Sequence, residues 1–112
     1  MAQIGWEDFE KVDVRLGEVT EAEPFPEARN PSIKLTVDFG PDLGARRTSA
    51  QLTAHYEPET LVGRRVIAVV NFPPKRIAGF KSEVLVLGVP DENGAVVLLS
   101  PDRNVPLGGK MF

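Results

Sequence analysis

The chain has 112 residues, of which 42% are hydrophobic, so it is the size of one domain that buries about two-thirds of its unfolded surface. It contains no cysteine, which excludes disulfides, thiolate metal sites and cysteine nucleophiles and suits a reducing cytoplasm. No uninterrupted apolar run of about 18 residues occurs, and the first residues have neither the basic start nor the apolar stretch of a secretory signal. These features predict a single cytoplasmic domain that does not enter the membrane.

The net charge of −3 is spread unevenly along the chain. Residues 1–30 hold eight acidic and three basic side chains, whereas residues 31–85 hold five acidic and eight basic ones. Local charge matters more than the total beyond a Debye length of about 8–10 Å. The middle of the chain is therefore where we expect an anionic partner, although the overall balance argues against strong non-specific binding of nucleic acid.

The first half of the chain contains one helical turn and two strands. Trp6 to Lys11 predicts a short amphipathic turn. Apolar residues then alternate with polar ones from Val12 to Leu16, which predicts a strand that runs on through Gly17 and Val19. Prolines bracket a stiff loop from Pro24 to Pro31. The clearest alternation covers Ile33 to Phe39 and predicts a strand with one buried and one wet face.

The second half predicts three further strands, one helix and a hairpin. The third strand covers Ala45 to about Leu52, and a short helix covers Glu57 to Val62, with proline at its start and glycine after its end. An unbroken apolar run predicts a buried strand from Arg65 to Asn71. After a loop of about twelve residues, Glu83 to Val89 reads as the fifth strand, and an Asn-Gly turn leads into Ala95 to Leu99.

Five strands with one helix between the third and fourth is the order of an OB-fold barrel. We therefore predict an all-β fold: a five-stranded OB-fold barrel with an N-terminal helical turn and a C-terminal hairpin extension. Such barrels commonly bind oligonucleotides on their second and third strands and the adjoining loops. The strand order alone also fits other small barrels.

Residues suited to catalysis are scarce. The only histidine, His55, has no cysteine to share a metal with, and the serines have no evident base partner. The chain has no phosphate-binding Gly-rich loop followed by Lys-Ser/Thr and no Gly-x-Ser-x-Gly elbow. We predict a non-enzymatic protein without metal or cofactor.

The most informative segment runs from Asn71 to Glu83. It places three cations, Lys75, Arg76 and Lys81, within seven residues. The cations are suited to phosphates, and the Phe80 ring is suited to stacking on a base or on an aromatic side chain of a peptide. The alternative is a solvated loop with Phe80 packed back on the barrel.

This segment resembles the central motif of the tRNA-binding domain, an OB-fold module of aminoacyl-tRNA synthetases and free-standing tRNA-binding proteins. The resemblance rests on the run Asn71-x-x-Pro74-Lys75-x-Ile77-x-Gly79-x-Lys81-Ser82-Glu83. Within the family, the match is closest to the CsaA-type secretion chaperones. Three phrases carry that likeness: Phe25-Pro26-Glu27-Ala28-Arg29, the stretch from Ile67 to Pro74 and the stretch from Arg76 to Gly88.

The resemblance implies binding roles for three groups of residues. For RNA they are Asn71, Lys75, Arg76, Lys81, Ser82 and Glu83, with Arg46 and Arg47 as additional contacts. For exposed polypeptide they are Phe72, Ile77 and Phe80. A homodimer is also implied, and the apolar ends of the chain supply its interface residues: Ile4, Trp6, Phe9, Leu107, Met111 and Phe112.

Two functions follow as alternatives. CsaA-type proteins are associated with unfolded preproteins and with the SecA motor ATPase, which predicts an export chaperone. The wider family predicts a protein that binds tRNA or structured RNA. The tRNA-binding branch typically has Gly-Met after Ser-Glu, whereas this chain has Val84-Leu85. For the two ends of the chain, the alternative to a dimer interface is that both pack on the barrel of their own chain.

Overall fold

The structure is a computed structural model that describes all residues from Met1 to Phe112. The elements in chain order are α1 Trp6–Glu10, β1 Val14–Pro24, β2 Ile33–Asp38, β3 Ala45–Ala50, α2 Pro58–Leu61, β4 Arg65–Val69, β5 Lys75–Ile77, β6 Phe80–Ser82, β7 Leu85–Val86, β8 Gly88–Pro90 and β9 Val96–Leu98. The predicted OB-type architecture is confirmed: five antiparallel strands in the order β3-β2-β1-β4-β7 form a nearly closed barrel.

The long strand β1 is the centre of the sheet. Its first half, from Val14 to Glu18, pairs with β4, and its second half, from Glu18 to Pro24, pairs with β2. A shift of register between Val19 and Glu21 marks a bulge, which increases the local twist of a strand. The single strand β1 therefore pairs with two neighbours in succession, and the sheet curls around it.

The core follows the alternation seen in the sequence. Ile33, Leu35 and Val37 of β2 are buried while the residues between them are half-buried, as predicted. These side chains form one cluster with residues from the other strands, from α2 and from the connecting segments: Val19, Phe39, Leu52, Leu61, Val66, Ala68 and Val84. Val12 does not belong to this pattern, because the first strand begins two residues later than predicted and leaves Val12 exposed.

The short helix α2 closes one end of the barrel. It is one residue shorter at each end than predicted, and its Leu61 is fully buried in the core. The chain leaves the helix through Gly63 at a φ of 90°, a conformation that favours glycine. The Gly63 amide then donates to the Val19 carbonyl over 2.7 Å. No helix of the structure is long and apolar enough to cross a membrane.

Two predictions for the later part of the chain are wrong in detail. The segment before Glu83 is not an open loop, because β5 and β6 pair as a hairpin within it. The single strand predicted from Glu83 to Val89 is divided: β7 joins the barrel at β4, and β8 pairs with β9 in a separate hairpin. The apolar residues from Val84 to Leu87 form an unbroken run up to this division, so the sequence pattern could not reveal the change of partner.

The C-terminal segment runs back along the start of β1. The Leu16 amide donates to the Gly109 carbonyl over 3.1 Å, the Gly108 amide donates to the Leu16 carbonyl over 2.8 Å, and the Met111 amide donates to the Val14 carbonyl over 2.8 Å. The first half of β1 is therefore covered on both edges, by β4 on one side and by the last residues of the chain on the other.

Gly17 lies where β1 crosses closest to the core. A Cβ atom at this position would stand 2.5 Å from Val37 Cγ1 and 2.9 Å from two carbons of the Phe39 ring. Both neighbours are buried and cannot move into solvent. A side chain at position 17 is thus excluded by the packing of β2 against β1.

We expect Gly17→Ala to lower the free energy of unfolding by about 1–3 kcal/mol, because the added methyl group overpacks the core. Denaturant unfolding midpoints measure this change. Gly5→Ala is the matched control, since the nearest atom to its added Cβ is 3.6 Å away. Equal stability of the Gly17→Ala variant and the unmodified protein would show that the strands separate more easily than this packing implies.

Candidate ligand-binding groove

A groove of about 1110 Å³ lies between the end of β3 and β7. One wall is Ser49 to Leu52, and the other is the chain from Ser82 to Val86. The segment from Phe72 to Ile77 and the loop around Arg29 complete its rim. The segment from Asn71 to Glu83, which resembles the family motif, runs along it.

The groove is apolar at its base and at its rim. Leu52 and Val84 line it and are also members of the buried core. Phe72 and Leu85 stand at its edge with 53% and 49% of their surface exposed. Exposed large apolar side chains next to a concave apolar base are typical of sites that bind another molecule.

A second, smaller cavity of about 470 Å³ lies on the outer face of β1, β2 and β3. It brings Glu21 and Glu23 next to Lys34 and Arg47, so its charges are mixed. Arg47 Nη2 stands 3.7 Å from Glu23 Oε1, and this ion pair spans the cavity. The larger groove is therefore the better candidate site.

The β5–β6 hairpin fixes the shape of the basic part of the segment from Asn71 to Glu83. Its turn is Ala78-Gly79, with φ angles of 49° and 81°. Two central residues with positive φ are characteristic of the tight hairpin turns whose twist matches that of the strands. A non-glycine residue at positive φ is uncommon, and such residues concentrate at functional sites.

Two cations face each other across this hairpin. Arg76 pairs with Lys81 in the β5–β6 register, so their side chains leave the same face. Both are exposed, and neither they nor Lys75 forms a salt bridge with a carboxylate. Like charges directly opposite each other destabilise a strand pair. An anion bound on this face would relieve the repulsion.

The position of Phe80 corrects the expectation that its ring is available for stacking. Phe80 is 8% exposed and packs edge-on against Phe25, with ring centroids 5.4 Å apart. Two cations cover its ring, Arg47 with its Cζ 4.6 Å and Lys34 with its Nζ 5.2 Å from the centroid. The alternative from the sequence therefore holds, since Phe80 is packed back on the barrel and anchors the hairpin there.

Ser82 and Glu83 join the hairpin to β3. The Glu83 amide donates to the Arg47 carbonyl over 2.8 Å, and the Arg47 amide donates to Glu83 Oε1 over 2.9 Å. The buried Thr48 Oγ1 donates to the Val84 carbonyl over 2.7 Å and lies 3.0 Å from Ser82 Oγ. These side chains close the barrel and have few atoms free for RNA.

Asn71 and Arg46 also have partners within the chain. The Asn71 side chain accepts a hydrogen bond from the Asp13 amide and donates one to the Lys11 carbonyl, over 3.0 and 2.8 Å. It ties the end of β4 to the start of β1. Arg46 donates to the Leu43 carbonyl over 3.3 Å and leaves the face of β3 opposite to Arg47. Of the predicted RNA contacts, Lys75, Arg76, Lys81 and Arg47 are the exposed cations.

Two carboxylates have pKa values lowered by hydrogen bonds. Arg15 Nε donates to Asp13 Oδ1 over 2.6 Å, and this bond lowers the pKa of Asp13. His55 Nε2 lies 2.6 Å from Asp91 Oδ2 and, together with the Ala95 and Asn93 amides, lowers the pKa of Asp91. A depressed carboxyl pKa contributes stability above its unfolded value and loses it as the pH falls through the folded value. Both pairs fasten loops outside the groove.

The residues proposed for the dimer interface differ in their exposure. Ile4 and Trp6 are 72% and 68% exposed, and α1 buries none of its residues. Phe9 and Leu107 are half-buried, while Met111 and Phe112 are exposed. Because the Met111 amide bonds to the Val14 carbonyl, the C-terminus lies beside the end of the N-terminal segment.

Several residues that line the groove were not predicted from the sequence as site residues. Arg29, Ser49 and Leu85 all line the groove. Ser49 lies two residues beyond Arg47 in β3 and shares its outward direction, so the alternation of the strand was a usable signal. No local signal indicates Arg29, because a loop between prolines brings it to the rim.

We expect Thr48→Val to lower the free energy of unfolding by about 1–3 kcal/mol, because the Val84 carbonyl loses its buried donor while the volume is kept. Denaturant unfolding measures the loss, and faster amide exchange at Glu83 locates it. Thr53→Val is the control, since Thr53 is exposed. A variant as stable as the unmodified protein would mean that the hydroxyl does not hold the barrel closed.

Comparison with known proteins places the chain in a defined group. The tRNA binding domain family matches residues 14–110. Among curated proteins, the methionine–tRNA ligase of Methanocaldococcus jannaschii is 38% identical over 111 residues, which cover 99% of this chain and 17% of the ligase. The chain thus spans about a sixth of the length of that relative.

Two solved structures agree with the chain over nearly all of both molecules. The chaperone CsaA from Bacillus anthracis is 56% identical with a TM-score of 0.93, covering 99% of this chain and 100% of that one. The CsaA chaperone protein from Picrophilus torridus is 46% identical with a TM-score of 0.91, covering 98% of this chain and 100% of that one.

Proposed function

The chain belongs to the tRNA-binding domain family, and from that premise we propose that it is a non-enzymatic, CsaA-like chaperone that holds unfolded polypeptide in its groove. The observation that carries this proposal is the groove itself, apolar at its base and flanked by exposed Phe72 and Leu85. Export-bound preproteins in the cytoplasm are the proposed substrates, and SecA is the proposed partner for delivering them.

The contacts expected for polypeptide are revised by the geometry. Phe72 and Ile77 line the groove, whereas Phe80 is covered by Arg47 and Lys34. Leu85 takes the place of Phe80 as an accessible apolar side chain. Leu52 and Val84 beneath it supply an apolar floor, so an unfolded segment is bound by burial of apolar surface.

A second function is favoured by the unpartnered cations of the β5–β6 hairpin. Arg76 and Lys81 face each other without a carboxylate between them, an arrangement that suits phosphate groups. Binding of tRNA or structured RNA on this face is therefore the second proposal. RNA would use the charged Arg76 and Lys81, of which only Arg76 also lines the rim of the groove, while polypeptide would use the apolar Phe72 and Leu85. The two activities are therefore separable by mutation.

Two double variants test this separation. We expect Phe72→Ser with Leu85→Ser to weaken binding of an unfolded polypeptide of low net charge at least tenfold, about 1.4 kcal/mol, and to spare tRNA. Arg76→Ala with Lys81→Ala should instead lower the log–log salt slope of tRNA binding by about 1.5, because roughly two phosphate contacts are lost. Equilibrium titrations at about 50 and 200 mM salt measure both.

Each outcome assigns a role. Polypeptide binding that persists at high salt and is lost only in the Phe72/Leu85 variant supports the chaperone. Salt-sensitive tRNA binding that polypeptide does not displace, combined with absent polypeptide binding, overturns the chaperone proposal in favour of RNA. Equal losses of both ligands in both variants would contradict two separable faces.

We further propose that the protein is a homodimer joined through its two chain ends. The exposed Ile4, Trp6 and Phe112 leave a larger apolar surface at the ends than a monomer needs. A rival surface is the outer face of the β8–β9 hairpin, where Val89 and Val97 are exposed opposite each other. Both surfaces are tested together.

We expect sedimentation equilibrium to give twice the chain mass of 12.2 kDa for the unmodified protein. Trp6→Ser should shift it toward the monomer, because the largest exposed side chain of α1 is removed, and Val97→Ser should not. Dissociation by Val97→Ser alone would place the interface on the hairpin. A monomeric unmodified protein at about 100 µM would rule out a stable dimer, since that corresponds to a Kd weaker than the micromolar range.

A further inference from the structure

We propose that the groove binds its polypeptide as an added β-strand, which pairs with the free edges of β3 at Ser49 and of β7 at Val86. This inference rests on the proposed chaperone function and specifies its recognition mode. In that mode the main chain supplies affinity through hydrogen bonds, and alternate side chains fill pockets. The barrel leaves backbone groups unpaired on both strands.

The first free edge belongs to β3. The Arg47 amide and carbonyl both point away from β2, since the amide donates to Glu83 Oε1 and the carbonyl accepts from the Glu83 amide. Backbone groups along a strand alternate in direction, so those of Ser49 point the same way as those of Arg47. The Ser49 amide has no acceptor there, and its carbonyl receives only the 3.4 Å contact from Thr48 Oγ1.

The second free edge belongs to β7. The Leu87 amide donates to the Ile67 carbonyl of β4 over 2.8 Å, and Leu85 pairs with Val69 of the same strand. Val86 lies between them, so its amide and carbonyl point away from β4. The Val84 carbonyl has this same direction and accepts the Thr48 hydroxyl. Both Ser49 and Val86 are half-buried and line the groove.

The barrel therefore lacks a strand ladder between β3 and β7, and the groove lies where that ladder is absent. β3 and the chain before β7 are joined at Thr48 and Val84, and the strands are not paired beyond that point. An extended polypeptide carries an amide donor and a carbonyl acceptor on every residue, which is what both edges lack. An RNA backbone has phosphate acceptors and 2′-hydroxyl donors, but it does not repeat them at the spacing of a β-strand, so it does not complete this ladder.

The side chains that line the groove determine which sequence the added strand should have. One face of the strand would meet the apolar Leu52 and Val84 at the base of the groove. The charged groups that line the groove are three cations, Arg29, Lys75 and Arg76, and one carboxylate, Glu83, which Arg47 already holds. Charge complementarity thus favours an extended segment with alternating apolar residues and acidic residues near its ends.

The test uses synthetic peptides of about ten residues, enough to cross the groove at 3.3 Å per residue. They alternate leucine or valine with serine or threonine and carry glutamate at both ends. One peptide is unmodified, and two others are N-methylated at one or the other alternate set of backbone nitrogens. Fluorescence anisotropy measures affinity, and amide hydrogen exchange by NMR locates the bound strand.

We expect N-methylation of either set to weaken binding at least tenfold, because alternate amides of the added strand face β3 on one side and β7 on the other. Exchange of the Ser49 and Val86 amides should slow on binding, while that of the Arg47 amide, already bonded to Glu83, should change little. If both methylated peptides bind like the unmodified one, strand addition is overturned and the groove remains a polypeptide site. If neither the unmodified peptide nor unfolded polypeptide binds, the chaperone proposal fails, and this inference fails with it.

Discussion

The closure of the barrel at Thr48 determines what the rest of the molecule can do. The Thr48 hydroxyl is buried and donates to the Val84 carbonyl, and one residue away Arg47 and Glu83 exchange two more hydrogen bonds. No strand ladder supports this junction, because β3 and β7 lie at opposite ends of the sheet order. Each net bond is worth only about 1 kcal/mol, but a buried carbonyl left without a donor costs more.

The same junction explains why the protein has both a core and a groove. On one side of Thr48, the closed barrel excludes water from the side chains of β1, β2 and β4. On the other side, β3 and β7 diverge, and the core residues Leu52 and Val84 line the base of the open groove. A fully closed barrel would have a more complete ladder and no site, so an incomplete closure is what the proposed binding function requires.

The β5–β6 hairpin combines an anchor with a charged face. Phe80 holds it to the barrel under Arg47 and Lys34, while Arg76 and Lys81 face solvent on the opposite side. The pair Val84-Leu85, which departs from the pattern of the tRNA-binding branch, acts in the neighbouring groove. Val84 is a core residue, and Leu85 is an exposed apolar residue of the rim. For the proposed polypeptide ligand, Val84 gives the base of the groove more apolar contact area than a glycine would.

Much of the architecture was determined by the sequence itself. The alternation of Ile33 to Phe39, the apolar run after Arg65 and the proline and glycine around α2 established the strands, the helix and the OB-type order, because periodicity and turn residues act over a few neighbours. The cluster of cations between Asn71 and Glu83 also identified the segment beside the groove.

Only the tertiary structure decided which of these side chains are available to a ligand. Asn71, Ser82 and Glu83 bond to residues between 34 and 60 positions away, and Phe80 is buried against Phe25 from a distant loop. The free edges at Ser49 and Val86 likewise depend on where β3 and β7, which are far apart in the chain, diverge from each other. Contacts of this kind are set by the global packing of the barrel, and local patterns of residue type carry no information about them.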